Sequence, residues 1–352
     1  MTFLFISNTL LVIVIKLGII GTGYWGKHHL RIFSALPCDL VGIADIDSSK
    51  KKLAEDYGVA FFQDFKKLLK KVDAVSIVTP PATHSKIARK ALMSGKHVLL
   101  EKPFVMKKEE AVELGKIANN KSLVLISGHT YLYHPAIVRI KEIIDAKELG
   151  NIYYFLFQWL NLGIIRRDVN ALWNFAPHPF SILDYLLDIL PVTISVHGQA
   201  FIQKGIEDVN FLSLKYSNGT IAQVNLSWLH PLKVREMAVV GSKKLVYFND
   251  VDSETPLKIY DKGISPEEFQ SSLDWKDFAQ FKSKVRYGKV EMPKLTDLEP
   301  LKQQLEDFLT AIEGKKKPKA SIDSIVRIVT LLEAAQKSLK KGGRIIEIKT
   351  NG

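Results

Sequence analysis

The sequence predicts an α/β fold in two parts, a doubly wound parallel sheet followed by an α+β domain rich in antiparallel strands. Three observations carry this. Short apolar runs alternate with amphipathic stretches from Lys16 to about Asn119, as in parallel β–α units. Beyond Gly150 the alternation gives way to long strand-like segments. Between two of these, Asn218-Gly219 stands as a hairpin turn, because the tight turn demands positive φ that Asn and Gly tolerate.

In the first part the expected strands are 17–20, 40–44, 74–78, 98–100 and 123–126. The expected helices are 24–36, 48–57, 64–69, 83–94 and 107–119. In the second part strands are expected at 152–160, 192–203, 209–216 and 220–228, and helices at 299–313 and 322–339, the former with Pro300 near its start. At 352 residues one core is too small a home for the chain. The expected division is 1–130 and 131–352.

Hydrophobic residues are 47% and charged residues 24% of the chain, so it has the balance of a globular protein rather than a disordered one. The formal charge of +12 is spread in lysine pairs and triplets such as 50–52, with only a short run at 315–319. That distribution reads as solvated surface, and no nucleic-acid partner is expected. Cys38 is the single cysteine. It excludes an internal disulfide and a cysteine-cluster metal site; no metal is expected, and a reducing, cytoplasmic compartment is. Residues 1–15 form an apolar extension broken by Ser7-Asn8-Thr9. It is shorter than the roughly 20 residues of a membrane span and lacks the parts of a signal peptide, so no membrane partner is expected. A start codon assigned upstream of the native one is the expectation that mass spectrometry of the N-terminal peptide would test.

Gly21-Thr22-Gly23-Tyr24-Trp25-Gly26 follows a strand and opens a helix. In this G-x-G-x-x-G arrangement the first glycine makes the tight turn and the second lets backbone approach a pyrophosphate. The third lets helix and strand pack closely. Helix-terminal N–H groups then face the phosphates. Asp45 ends the second strand about 20 residues further on, where a carboxylate accepts hydrogen bonds from ribose hydroxyls and repels a 2′-phosphate. The unit therefore reads as a Rossmann domain with NAD, rather than NADP, as cofactor. Asp47 fits a helix cap better than Asp45 does.

Two further runs are specific, Thr79-Pro80-Pro81-Ala82-Thr83-His84 and Gly95–Pro103 with its Glu101-Lys102-Pro103 end. With Gly21–Gly26 they make the chain resemble the glucose–fructose oxidoreductase / inositol dehydrogenase / MocA-like family over nearly its whole length from Lys16. The resemblance implies a Rossmann domain followed by a domain with an open sheet, through which such enzymes assemble as dimers or tetramers. It implies Gly21, Gly23, Tyr24, Trp25, Gly26, Asp45, Thr79, Pro80, His84, Glu101 and Lys102 at the cofactor. For His84, a helix-capping or helix-surface place stands open beside a place near the cofactor. Lys102 is expected to hold and polarise a sugar hydroxyl beside the nicotinamide.

Asp168–His178 resembles the family's second signature. There the resemblance implies His178 as general base, with a partner four residues earlier on the same helical face. The partner here is Asn174, where relatives commonly carry aspartate, and it is expected to orient substrate or imidazole without charge. Similarity to the sugar-nucleotide branch implies oxidation at C3 of a UDP-N-acetylglucosamine-type substrate. Arg166 and Arg167 are then candidates for its pyrophosphate, and Tyr133 for the pocket wall. Packing ranks ahead for Tyr131, and His134 falls in the same stretch. Two alternatives stay open: an inositol or free-sugar dehydrogenase, and a non-catalytic NAD- and sugar-binding sensor.

Overall fold

A computed structural model describes residues 14–263 and 286–349. The expected apolar extension lies outside the described residues up to position 13. Ile15 is buried in the core beside Leu17 and Ile19, and its carbonyl accepts from Asp39 N at 2.9 Å.

Strands β1 (Lys16–Ile20), β2 (Asp39–Ala44), β3 (Ala60–Phe62), β4 (Ala74–Ile77), β5 (His97–Leu100) and β6 (Leu125–Ser127) form one sheet. They pair throughout in parallel, in the order β3-β2-β1-β4-β5-β6. This is the Rossmann order, with its crevice where the winding reverses between β1 and β4. β3 has no counterpart among the expected strands, since its three residues are too few to show a period. The connecting helices are α1 (Tyr24–Phe33), α2 (Lys51–Asp56), α3 (Phe65–Leu69), α4 (Pro81–Met93) and α5 (Lys108–Asn120). α1 stops three residues short of the expected Leu36, as suits a residue preceding Pro37. Both faces of the sheet are covered, so β4 is buried at every position, as parallel strands require.

A short 3-10 turn (Thr130–Tyr133) and α6 (Pro135–Asp145) lead into the second part. Its elements are β7 (Ile152–Leu162), α7 (Ala171–Phe175), α8 (Pro177–Leu187), β8 (Thr193–Gln199), β9 (Val209–Lys215), β10 (Ile221–Ser227) and β11 (Leu229–Gly241). β12 (Leu245–Asn249), β13 (Leu257–Gly263), β14 (Arg286–Glu291), α9 (Pro300–Ile312), α10 (Ile322–Lys340) and β15 (Ile346–Glu347) follow. The nine strands run β14-β13-β12-β11-β7-β10-β9-β8-β15, antiparallel except where β7 meets β10. β9 and β10 make the expected hairpin, with Gly219 at φ +86°. β8 ends at Gln199 rather than residue 203. Asp208 takes the N–H groups of Phe201 and Ile202 out of the ladder at 2.7 and 2.9 Å. In β11 the pairing with β7 lapses between Leu229 and Val234, around Pro231, which has no N–H to donate.

One face of this sheet carries α8 and α10 over a core of Phe155, Phe157, Trp159 and Trp228. The other exposes Tyr154, Phe211 and Ile221, in keeping with the alternation of β9 and β10. α10 also packs on α5, and α9 lays Leu301, Leu305 and Phe308 into the core of β1 and α1. The parallel sheet and the large sheet thus share helices, and the space between them holds the site. Among the described residues no helix is long and apolar enough to cross a membrane.

Candidate active site

Two clefts open at the carboxyl ends of the parallel strands. The first, of about 580 Å³, runs over the glycine turn and is lined by Gly21, Thr22, Gly23, Asp45, Thr79 and Pro80 among others. Gly21 holds φ +91°, and a Cβ on Gly26 would stand 2.1 Å from the Gly21 carbonyl oxygen. Only glycine fits there. A Cβ on Gly23 would meet nothing within 4 Å, so open space faces its backbone. Gly23 stands at the N-cap of α1 and supplies no side-chain cap, leaving the helix's first N–H groups for a ligand. This donor set fits a dinucleotide pyrophosphate.

Asp45 is tied into that turn. Its Oδ2 accepts from Thr22 N at 2.7 Å and Thr22 Oγ1 at 2.8 Å, and its Oδ1 accepts from Asp47 N at 3.0 Å. Asp47 caps the turn after β2 by accepting from Ser49 N at 2.9 Å. His84 is fully buried. Its Nε2 faces Thr79 O at 2.7 Å, and its Nδ1 faces Pro103 O at 3.0 Å and Phe104 O at 3.1 Å. Of the places left open for it, burial excludes the helix surface and main-chain oxygens at both ring nitrogens exclude the cap, while its bond to Thr79 O puts it behind the wall of the first cleft. His84 braces the Thr79–Pro80 loop against the turn after Lys102.

The second cleft, of about 570 Å³, is lined by Lys102, Tyr131, His134, His178, Arg235 and Asp250 among others. Tyr24, Trp25, Glu101 and Lys102 line both clefts. Lys102 follows β5 at the junction, and its Nζ donates to Asn174 O at 3.3 Å. Burial holds its pKa down at about 8, opposed by the Glu101 carboxylate and assisted by Arg166 and Arg235. Glu101 lies beneath, accepting from Lys102 N at 3.0 Å while facing His29 Nε2 at 3.1 Å; His29 Nδ1 meets Ser76 Oγ at 2.8 Å. Burial opposes ionisation of Glu101, but His29 and Lys102 outweigh it and hold the carboxyl below its usual range.

His178 stands near the start of α8, edge-on to Tyr131 with ring centroids 5.1 Å apart. Burial, then the Lys102 and Arg235 charges, hold its pKa well below the ordinary value. It is a neutral imidazole at neutral pH, able to take a proton. Its Nδ1 is buried without a partner. Asn174 and His178 belong to successive helices, α7 and α8, joined through Ala176 and Pro177. Pro177 has no N–H, so the single expected helix is broken between them. Asn170 caps α7, its Oδ1 accepting from Trp173 N at 3.1 Å.

Three residues expected at the substrate do not line the second cleft. Tyr133 points away from the cleft: its hydroxyl donates to the buried Asp307 of α9 at 2.6 Å. Arg166 lines the first cleft, held by Asp168 through Nε at 2.8 Å. Arg167 lines neither cleft. In their place the second cleft presents Tyr131, His134, Arg235 and Asp250. The Tyr131 hydroxyl donates to Asp250 Oδ2 at 2.8 Å, and His134 Nε2 lies 3.5 Å from Asp250 Oδ1. Arg235 NH1 donates to Leu160 O and Val234 O at 2.9 and 2.8 Å, NH2 donates to Asn161 Oδ1, and the guanidinium lies 4.8 Å over the Phe175 ring.

A Rossmann crevice opening at a half-buried lysine onto a polar cleft with a neutral histidine defines a nicotinamide-dependent oxidoreductase acting on CH–OH groups. Residues 15–129 match the family model for the oxidoreductase family with NAD-binding Rossmann fold, and residues 137–247 match the GFO/IDH/MocA C-terminal domain. The chain belongs to the Gfo/Idh/MocA oxidoreductase family, and its first part is the family's NAD-binding Rossmann fold.

Among its relatives, the UDP-N-acetylglucosamine 3-dehydrogenase of Acidithiobacillus ferrooxidans is 26% identical over 309 residues, covering 86% of this chain and 90% of the relative. The NAD-dependent scyllo-inositol 2-dehydrogenase of Bacillus subtilis is 24% identical over 311 residues, covering 81% and 90%. A solved structure of the Acidithiobacillus enzyme superposes with TM-score 0.80 at 25% identity, covering 94% of this chain and 99% of that one. The NAD complex of GenD2 from gentamicin A biosynthesis shares the fold with TM-score 0.80 at 22% identity, covering 99% and 100%.

Proposed function

We propose that the chain oxidises a secondary hydroxyl of a sugar nucleotide, at C3 of a UDP-N-acetylglucosamine-type substrate. The observation that carries this is the meeting of the two clefts at Lys102, with His178 across the second cleft. Relatedness to a UDP-N-acetylglucosamine 3-dehydrogenase over nine-tenths of its length supports the substrate class.

In this reading Gly21, Gly23, Tyr24, Trp25 and Gly26 hold the pyrophosphate, and Asp45 takes the adenosine ribose hydroxyls. Thr79, Pro80 and Glu101 complete the cofactor wall, with His84 bracing it. NAD, when bound, accepts the hydride from the substrate carbon. Lys102 donates a hydrogen bond to the reacting hydroxyl and polarises it. His178, kept neutral by burial, takes the hydroxyl proton. Asn174 orients Lys102 through its main-chain carbonyl. Residues 1–130 form the NAD-binding domain and 131–352 the domain for substrate and assembly. The apolar outer face at Tyr154, Phe211 and Ile221 supports assembly of copies through the large sheet. Lone Cys38 supports a cytoplasmic setting.

The test is NADH absorbance on mixing protein and NAD with UDP-N-acetylglucosamine, its uronic acid or myo-inositol. Signal with a UDP-sugar is expected. Equal turnover of free inositol would favour the second reading, a cyclitol dehydrogenase, which the scyllo-inositol relative supports.

A further inference from the structure

Three carboxylates line the second cleft, Glu101, Asp250 and Glu299. Glu101 is engaged by His29 and by Lys102 N. Glu299 pairs with Arg31 at the rim, where both side chains are exposed. Asp250 is different. It stands just past β12, half-buried, with its backbone N–H donating to Arg235 O at 2.9 Å.

The hydrogen bonds around it fix what it can still accept. His134 caps α6, its Nδ1 accepting from Ala136 N at 3.2 Å. That nitrogen is therefore the unprotonated one, and the proton sits on Nε2, which faces Asp250 Oδ1. The Tyr131 hydroxyl donates to Oδ2. Oδ2 thus has one hydrogen-bond donor from the protein, Oδ1 has the longer 3.5 Å contact with His134, and a carboxylate has about four acceptor sites. At least one further donor per oxygen can be accepted, and Asp250 lines the cleft. Two donors at the spacing of one carboxylate are what adjacent hydroxyls, or a hydroxyl and an amide N–H, on a sugar ring present.

The charge matters as much as the geometry. The three bonds that Arg235 donates go to acceptors of the protein, and its plane lies over Phe175. Lys233 is exposed at the rim. Three of the five N–H donors of Arg235 are so engaged and Lys233 stands at the rim, while a ligand carboxylate beside Tyr131 and His134 meets the like charge of Asp250.

We propose that Asp250 is the specificity-determining residue of the substrate cleft, accepting hydrogen bonds from two adjacent donors of an uncharged sugar ring and disfavouring a uronate. This rests on the reading of the second cleft as the substrate site, and it selects UDP-N-acetylglucosamine over its uronic acid.

The experiment compares the full-length protein with Asp250→Asn, measuring KM and kcat for UDP-N-acetylglucosamine, its uronic acid and myo-inositol. Calorimetric binding of the same three compounds to the NADH-loaded proteins is read alongside. Expected is a rise in KM and Kd of about 10–100-fold for the uncharged compound, the size of losing a charge-assisted hydrogen bond. Little change in kcat and a narrowed preference for the neutral sugar over the uronate accompany it. Unchanged NADH affinity shows that the variant is folded. Asp250→Ser gives a second reading of the same KM change if the asparagine disturbs the turn. Unaltered KM and Kd for the uncharged compound, or a wild-type preference for the uronate, would overturn the proposal. If only myo-inositol is bound, the sugar-nucleotide reading fails, while a loss on Asp250→Asn still upholds the role of Asp250. Binding of none of the three to the wild-type protein overturns both.

Discussion

Lys102 Nζ donates to the main-chain oxygen of Asn174 at 3.3 Å, linking the end of the parallel sheet to α7 of the second part. Among the described residues it is the one lysine amine that borders both clefts, where the proposed function brings substrate and cofactor together. Lys102→Ala is expected to lower kcat by about 10²–10³, the scale of removing a donor to a developing oxyanion. NADH binding by calorimetry should be retained. A near-normal rate would refute the assignment.

The pH profile follows from two depressed pKa values. His178 must be neutral to accept a proton, so its activity is present above its depressed pKa and lost as pH falls through it, below the ordinary histidine range. Lys102 must be charged to polarise the hydroxyl, so activity is lost as pH rises through about 8. The kcat/KM of the protein should fall on the basic side near that value. A profile flat to well above it would contradict the role of Lys102.

Asn174→Asp places a carboxylate on the residue whose carbonyl holds Lys102. A nearby negative charge favours both cationic forms. The basic limb of the profile should move to higher pH and the acid limb upward with it. Identical limbs in the two proteins would place that side chain out of range of both groups.

Asp45→Ala removes an acceptor for two N–H groups and the Thr22 hydroxyl. NAD affinity should fall and the preference over NADP shrink, as judged by Kd for each. Should the unmutated protein already bind NADP more tightly, the ribose argument fails.

The local parts of the site were legible in the sequence, and the non-local parts were not. Gly21–Gly26 and Asp45 sit at strand ends, where type and spacing point to a crevice, whereas Lys102 is picked out only by the family resemblance of its Glu-Lys-Pro run. Arg235 and Asp250 come together only because β11 pairs with β12, Glu236 opposite Asn249, and no periodicity announces which residues such a pairing turns toward a cleft. The sequence reading puts Tyr133 on the pocket wall and Tyr131 in packing, and the structure reverses the two. In a 3-10 turn, with three residues per turn, positions two apart point in different directions, so one faces Asp250 and the other Asp307.

That last difference is testable by itself. Tyr133→Phe leaves the buried Asp307 short of a donor and should cost about 1–3 kcal/mol in stability by denaturant titration, with KM unchanged. A raised KM with normal stability would return Tyr133 to the substrate wall.

The central claim is tested most directly by following the hydride. UDP-N-acetylglucosamine carrying deuterium at C3 is incubated with the protein and NAD, and the nicotinamide is analysed by mass spectrometry. The account predicts reduced cofactor one mass unit heavier, together with a 3-keto sugar nucleotide. Unlabelled reduced cofactor, or unreduced NAD beside untouched sugar nucleotide, would contradict it.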